Sequence, residues 1–147
     1  MKRQCSMNGK TISELKIGDS AYVEKTISES DVYLYAGITG DLNPAHINAV
    51  EAEKGMFKGR IAHGMLSAGL ISATLAMHLP GPGTIYLGQE LRFTKPVRFG
   101  DTVRATLTVT EIKEEKNICK LSTICTNQYG ETVIEGTATV MPPKNKG

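Results

Sequence analysis

The stretch GMLSAGLISATLAMHL, residues 64–79, decides the fold of this chain. Nearly every helical face of it is apolar or carries a small polar residue, and no Asp, Glu, Lys or Arg occurs from Ile61 to Gln89. A helix that is apolar all round is typical of a buried position. The PGPG break at residues 80–83 keeps it shorter than the ~18 apolar residues of a membrane-spanning helix. We therefore predict a long buried helix in a soluble protein.

The segments on either side of this helix predict an antiparallel sheet and two further helices. Apolar and polar residues alternate in four later segments, near residues 85–93, 103–109, 117–126 and 134–140. Before the long helix, the pattern predicts a strand at 20–28, a helix at 28–40 capped by Ser28, and a short helix at 48–55 with Asn48 as cap and Glu51 completing a capping box. Helices followed by strands indicate an α+β fold, in which a curved antiparallel sheet wraps the long central helix.

Length and charge narrow the possible functions. The 147 residues suit one domain, which we place at residues 10–141, with flexible ends at 1–9 and 142–147. The net charge is only +2 and the cations are dispersed, which does not favour a nucleic-acid partner. The basic N-terminus lacks the apolar run of a secretory signal, so we expect a cytoplasmic location.

The three cysteines are Cys5, Cys119 and Cys125. Their number is odd and their spacing fits no common metal site. Cys119 and Cys125 lie in an alternating apolar segment, where small buried thiols are the simplest interpretation.

The turn GDLNPAHIN, residues 40–48, concentrates acid–base residues directly after a predicted helix. Asp41 follows the helix end, where the backbone dipole disfavours negative charge, and His46 follows five residues later. Pro44 fixes its own backbone and restricts Asn43, which can brace the turn through its side chain. A stiff loop of this kind can hold a carboxylate and an imidazole at one separation. A surface turn with an exposed histidine is the alternative.

The segment IAHGML, residues 61–66, begins the long helix without a Ser, Thr, Asp or Asn cap. The first N–H groups of the helix therefore lack an obvious partner and suit an oxyanion, and Gly64 allows a ligand to approach the backbone. The alternative is a glycine required for close packing beside a half-buried His63. One aspartate and two histidines could hold a metal, but their spacing matches no common site, so we expect none.

Taken together, these stretches resemble the R-specific enoyl-CoA hydratases (hydratase 2), members of the MaoC-like family with the hot-dog fold. The resemblance rests on YAGITGDLNPAHIN, RIAHGML and GTIYLGQELRFTKPVRFGDTV, and covers about residues 16–141. Its core is Asp-Xaa-Asn-Pro-Xaa-His combined with His-Gly-Met, which is more specific than either half. Ala45 departs from the larger aliphatic residue usual in the family, but the chemical groups are present.

The resemblance implies roles for individual residues. Asp41 and His46 match the family's catalytic pair, and Gly64 matches the amide donor to the thioester carbonyl. The substrate-binding candidates are Asn43, His63, Ser72 and Leu75. It also implies a homodimer, or a higher oligomer of dimers, whose sheets join into one and whose acyl-thioester clefts lie near the dimer interface.

The implied reaction is the reversible syn hydration of trans-2-enoyl-CoA to (R)-3-hydroxyacyl-CoA. Asp41 and His46 would act on one water while the Gly64 amide stabilises the thioester oxyanion, and no cofactor is implied because acid, base and oxyanion site suffice. Lys54, Lys58 and Arg60 could meet the phosphates of coenzyme A. The alternatives are a hot-dog thioesterase, a hydratase or dehydratase for acyl-carrier-protein or branched dicarboxylic thioesters, and an inactive acyl-CoA-binding module.

Overall fold

The computed structural model of the protein describes residues 8–144. Its elements are β1 (Ser20–Thr26), α1 (Glu29–Thr39), α2 (Pro44–Ile47), α3 (Ala49–Lys54), α4 (Gly64–Met77), β2 (Ile85–Phe93), β3 (Thr102–Lys113), β4 (Ile118–Thr126) and β5 (Thr132–Met141), with 3-10 turns at Ile12–Glu14 and Glu114–Lys116. The predicted α+β order and the single long helix are confirmed.

One five-stranded antiparallel sheet, in the order β1-β3-β4-β5-β2, forms the body of the molecule. Helix α4 packs against β1, β3 and β4. The inward side chains of these strands alternate with outward ones, as in Val103, Ala105, Leu107 and Val109 of β3, which are at most 1% exposed. This apolar layer closes over Ile71 and Leu75 of α4 and makes the core.

The prediction that α4 is buried on every face is correct for one face only. Ser67, Ala68, Ile71, Thr74 and Leu75 are buried, whereas Met65 and Met77 are 55% and 64% exposed in the single chain. The helix is apolar all round, yet the sheet of one copy covers only one side of it. An apolar strip of α4 is therefore left open beside β2.

Strand β2 is one edge of the sheet and is the most exposed of the later strands. Ile85, Leu87 and Phe93 are 57%, 49% and 50% exposed. On its inner side β2 approaches β5 so closely that a Cβ at Gly136 would lie 1.9 Å from the carbonyl oxygen of Glu90. Only glycine permits that approach, and it fixes the edge strand against the sheet.

Helices α1 and α3 begin as predicted, with one difference in their capping, whereas α2 was not predicted. Ser28 Oγ accepts the N–H of Asp31, and the Asp31 carboxylate accepts the N–H of Ser28, which makes a complete capping box for α1. Asn48 Oδ1 accepts the N–H of Glu51 and caps α3. The predicted second half of that box is wrong, because the Glu51 carboxylate binds Lys54 at 2.9 Å instead.

The two ends of the described chain are held by backbone contacts. The N–H of Gly9 donates to Pro82 O at 2.8 Å, and Asn117 Nδ2 donates to Pro142 O at 2.9 Å. The remainder of the predicted flexible ends, residues 1–7 and 145–147, lies outside the described residues. Within residues 8–144, no helix is long and apolar enough to cross a membrane.

Candidate active site

The loop that carries Asp41 and His46 is held by its own polar groups. Helix α1 ends at Gly40 in the left-handed region, with φ 79°, and Asp41 comes next. Asp41 Oδ1 accepts the N–H of Asn43 at 3.2 Å, and Asn43 Oδ1 accepts the N–H of Ala45 at 3.0 Å. The bracing role predicted for Asn43 is thereby confirmed. The loop continues into the four-residue helix α2, whose sequence signal is an asparagine cap followed by proline at the first helical position.

His46 lies on α2 and is tied to the chain that leads into α4. Its Nδ1 is 2.7 Å from Ile61 O, and the N–H of Ile61 donates to Ala45 O at 3.0 Å. A carbonyl oxygen can only accept, so Nδ1 carries the proton and Nε2 is the nitrogen free for chemistry. The ring is therefore fixed in one tautomer by a backbone contact.

His63 brings the two halves of the sequence motif together. Its side chain is 2% exposed and its Nε2 lies 3.0 Å from Asp41 O, to which it donates. Its ring stacks on His46 with centroids 3.8 Å apart and a 27° angle between the planes. The Tyr35 ring also packs against His63, with centroids 4.7 Å apart and the planes tilted by 53°.

The Asp41 carboxylate itself is 49% exposed in the single chain, and its Oδ2 is 4.0 Å from His63 Nε2. That separation is too long for a hydrogen bond, so the histidine binds the backbone of Asp41 and not its Oδ2. The apolar surroundings expected of a buried base are absent on this open side.

A cavity of about 360 Å³ adjoins these groups. It is mostly apolar, and its polar side chains are few; the lining residues are His46, Phe57, Ile61, Ala62, Gly64, Met65, Ser67, Phe93, Thr94, Lys95, Pro96, Val97, Val133 and Ile134. Ser67 is fully buried, and its Oγ has no hydrogen-bond partner among the described residues. Its position three residues after Gly64 was the signal that could have placed it here.

Gly64 is the first residue of α4 and lies in the wall of this cavity. No side chain caps the helix, and the first amides of a helix have no intrahelical acceptor. A Cβ at Gly64 would come within 2.6 Å of the Phe93 ring. A side chain at this position would therefore displace the Phe93 ring, and the helix-start amides lie beside the cavity; the oxyanion role of Gly64 stays a prediction.

Two predicted substrate-binding residues lie elsewhere. Ser72 lines a second cavity of about 450 Å³, which shares Met65 and Phe93 with the first. Leu75 is 2% exposed in the core and lines neither cavity. It follows Gly64 by about 16 Å along the helix at 1.5 Å per residue, which explains why it does not reach the site.

The ligand atoms of Asp41, His46 and His63 lie within 4.8 Å of one another, which suggests a metal site at first sight. The geometry does not suit one. The two stacked rings direct their lone pairs within nearly parallel planes, and one nitrogen of each ring is already bound to a backbone carbonyl. Three donors converging on one ion would require the stack to open.

The loop between α3 and α4 is held by two arginines. Arg60 donates to Glu29 at 2.7 Å and to Tyr33, and this hydrogen bond from Arg60 lowers the pKa of Glu29. Arg98 donates to the backbone of Phe57. Of the three cations proposed for coenzyme A, Arg60 and Lys54 are thus paired with acids, and Lys58 has no ion-pair partner among the described residues.

A long helix against a five-stranded antiparallel sheet, with His46 and uncapped helix-start amides at one cavity and Asp41 close to His46, is the arrangement of a hot-dog enzyme. The family model described as MaoC like domain matches residues 15–129, and the chain belongs to that family.

Related proteins agree with this assignment. The chain is 58% identical to an (R)-specific enoyl-CoA hydratase of Rhodospirillum rubrum over 130 residues, covering 88% of this chain and 90% of that protein. It is 44% identical to a 3-hydroxybutyryl-CoA dehydratase of Methylorubrum extorquens, covering 90% and 84% of the two chains. The unliganded R-hydratase of Pseudomonas aeruginosa superposes with a TM-score of 0.87 at 47% identity, covering 93% of this chain and 88% of that one.

Proposed function

We propose that this protein catalyses the reversible syn hydration of trans-2-enoyl-CoA to (R)-3-hydroxyacyl-CoA. The observation that carries the proposal is that His46 and Gly64 line one largely apolar cavity while a carboxylate oxygen of Asp41 lies within 4.8 Å of a ring nitrogen of His46. An acid–base pair and an amide at a helix start are the groups that hydration of an activated alkene requires. The names of the relatives, which are hydratases and a dehydratase, favour hydration over thioester hydrolysis.

Asp41 and the free Nε2 of His46 bind one water above the double bond. The water oxygen bonds to C3, one of its protons passes to the pair, and the pair delivers a proton to C2 on the same face. The enzyme thus ends in its starting protonation state. No step requires an oxidant or a reductant.

The thioester carbonyl lies at the start of α4 in this proposal. Addition at C3 places negative charge on the carbonyl oxygen, and the N–H of Gly64 donates to it with the help of the positive helix end. Asn43 supports the site from the loop rather than by contacting substrate, as its hydrogen bond to Ala45 suggests. Roles for Ser72 and Leu75 would have to involve the distal part of the acyl chain.

We infer that two copies assemble through β2. The unpaired edge and the exposed side chains of Ile85, Leu87 and Phe93 form an apolar surface continuous with the open face of α4. Pairing of two such edges would join the sheets into one. In this assembly, residues 10–141 of each copy act as one domain. Sedimentation of the purified protein measures the mass of the assembly and so tests for a dimer. We also propose that the protein is located in the cytoplasm.

The proposal is tested by following the ultraviolet absorbance of crotonyl-CoA while a thiol reagent reports free coenzyme A. Cys119 and Cys125 do not disturb the reagent because burial raises the pKa of their thiols to about 11 and about 12. Loss of enoyl absorbance without thiol release supports hydration, and chiral analysis of the product tests the R configuration.

Other results of the crotonyl-CoA assay would support the alternative functions. Release of thiol indicates a thioesterase. If crotonyl-CoA is unchanged, the same assay with acyl-carrier-protein thioesters or branched dicarboxylic thioesters tests a different carrier or acyl group. Binding of these thioesters without turnover would indicate an inactive binding module. Raised ionic strength and Lys58→Ala test whether that lysine meets the coenzyme A phosphates, since both should raise KM.

A further inference from the structure

The residue before α4 does not cap the helix with its side chain. His63 occupies the N-cap position, but its side chain makes no capping hydrogen bond. Residues at this position usually donate side-chain oxygen atoms to helix amides. Here the imidazole turns to the loop 41–46 instead, where it is buried to 98% by contacts with Tyr35, Asp41 and His46.

We propose that His63 is a positioning residue that holds both members of the acid–base pair, an inference that rests on the proposed function. Its Nε2–H donates to the backbone oxygen of Asp41, and its ring stacks on His46. It does not line the cavity, and its Nδ1 is enclosed without a partner among the described residues. It therefore acts through its two neighbours, which differs from the substrate contact predicted from sequence.

The contact with Asp41 restrains the loop from outside. The other hydrogen bonds of Asp41, to Thr39 and Asn43, lie within the same short stretch of chain. Such local bonds set the shape of the loop but not its distance from α4. The hydrogen bond from His63 is the contact that fixes the Asp41 backbone to the start of α4, where the Gly64 amide lies.

The stack restrains a different motion. His46 is anchored through Nδ1 to Ile61 O, and a ring held at one atom can still swivel about that bond. A second ring 3.8 Å away, inclined by 27°, fixes the plane in which Nε2 lies. The direction of Nε2 toward the substrate thus depends on His63. The two restraints can be removed separately because one needs a donor and the other needs a ring.

His63→Gln and His63→Phe separate the two functions. Glutamine can place an amide N–H near the position of Nε2 but has no ring, whereas phenylalanine keeps the ring and loses the donor. We expect each variant to lower kcat on crotonyl-CoA by about 10- to 100-fold, the range for small misplacement of reacting groups, with KM nearly unchanged. His63→Leu, which lacks both features, should be slower than either.

His78→Gln and His78→Phe are the matched controls. His78 ends the same helix, is exposed and lies away from the cavity, so these variants should keep the wild-type kcat. Wild-type kcat in both His63→Gln and His63→Phe would overturn the proposal. A loss confined to KM would also overturn it, because that result indicates contact with substrate.

Nitrogen-15 spectra of the imidazole rings test the proposal without turnover. We expect His63 protonated on Nε2, His46 protonated on Nδ1, and a changed His46 signal in His63→Gln. Protonation of His63 on Nδ1 would overturn the assignment, even if the phenylalanine variant failed to fold. A wild-type protein with the expected spectra but no hydratase activity would refute the proposed function while leaving the positioning contacts intact.

Discussion

The two ends of α4 both carry a histidine, but they are built in opposite ways. At the C-terminal end, Thr74 O accepts the N–H groups of His78 and Leu79, and Leu75 O accepts that of Gly81. At the N-terminal end, no side chain caps the helix, and its first amides lie beside a cavity. The end whose backbone groups are satisfied is structural. The end that leaves donors unused is the candidate for chemistry.

Asp41→Asn should produce the largest effect, and it tests the candidate base near the N-terminal end of α4. The amide keeps the size of the carboxylate but cannot accept a proton, so we expect kcat to fall by about 10²- to 10⁴-fold. Initial rates on crotonyl-CoA measure the loss. An unchanged thermal unfolding midpoint serves as the control for folding. Wild-type activity would show that Asp41 is not the base.

Gly64→Pro compared with Gly64→Ala tests the open amide. Both add a Cβ that meets Phe93, but only proline removes the N–H, and proline is well tolerated at the first position of a helix. The extended backbone of His63, with ψ 134°, also suits a following proline. We expect Gly64→Pro to be slower than Gly64→Ala by about 10²- to 10³-fold, the cost of one oxyanion donor.

Gly37→Ala is the control for this pair. Gly37 lies inside α1 with nothing within 4 Å of an added Cβ, so activity should be retained. Equal rates for Gly64→Pro and Gly64→Ala would indicate that the glycine serves packing alone.

Gly9→Ala tests the structural end of α4. An added Cβ would lie 2.5 Å from Pro80 O, so the chain that holds the 80–82 turn would have to shift. Overpacking of this kind costs about 1–3 kcal/mol in the free energy of unfolding. Urea unfolding measures the loss, and kcat of the folded enzyme should stay at the wild-type value. A fall in kcat would contradict the division between the two ends.

Asp31→Asn weakens the capped start of α1, in contrast to the uncapped start of α4, and its effect should be the smallest. The N–H of Ser28 and the ammonium of Lys25 lower the pKa of Asp31. Because the pKa of Asp31 is lower in the folded protein than in the unfolded chain, where it is about 4, the ionised carboxylate stabilises the fold. This stabilisation is complete above the unfolded pKa and is lost as the pH falls through the folded pKa. The variant should therefore lose stability near neutral pH and match the wild type in acid, as urea unfolding at both pH values can establish.

Sequence patterns predicted the positions of the helices and strands better than the contacts that these elements make with one another. Alternation located β2 to β5, and the uncapped apolar stretch located α4, because both signals are local. Burial of α4 on one face only could not be predicted, since it depends on how many strands of one copy reach the helix. The four-residue α2 was missed because it provides too few residues for a periodic pattern.

The candidate site likewise has residues that short motifs could predict and contacts that they could not. Asp41, His46 and Gly64 were named from short motifs; the structure places His46 and Gly64 in the wall of one cavity and an Asp41 oxygen within 4.8 Å of a His46 ring nitrogen. The contacts of His63 join residues that are 22 positions apart, so no local pattern contains them. Ser72 was placed by similarity, and the rotation and length of α4 decide that neither Ser72 nor Leu75 lines the main cavity.

The candidate acid–base residues and the helix-start amides all come from the segment 41–67, whereas part of the cavity wall comes from residues 93–97 and from Val133 and Ile134. The proposed reactive groups and this part of the wall are thus encoded in separate parts of the gene. A protein engineer can randomise Phe93 at the end of β2, the following residues 94–97, and Val133 and Ile134 of β5 to admit longer or branched acyl groups while the segment with the candidate catalytic residues stays untouched. The same separation allows the 41–67 segment to be exchanged between family members as a single cassette.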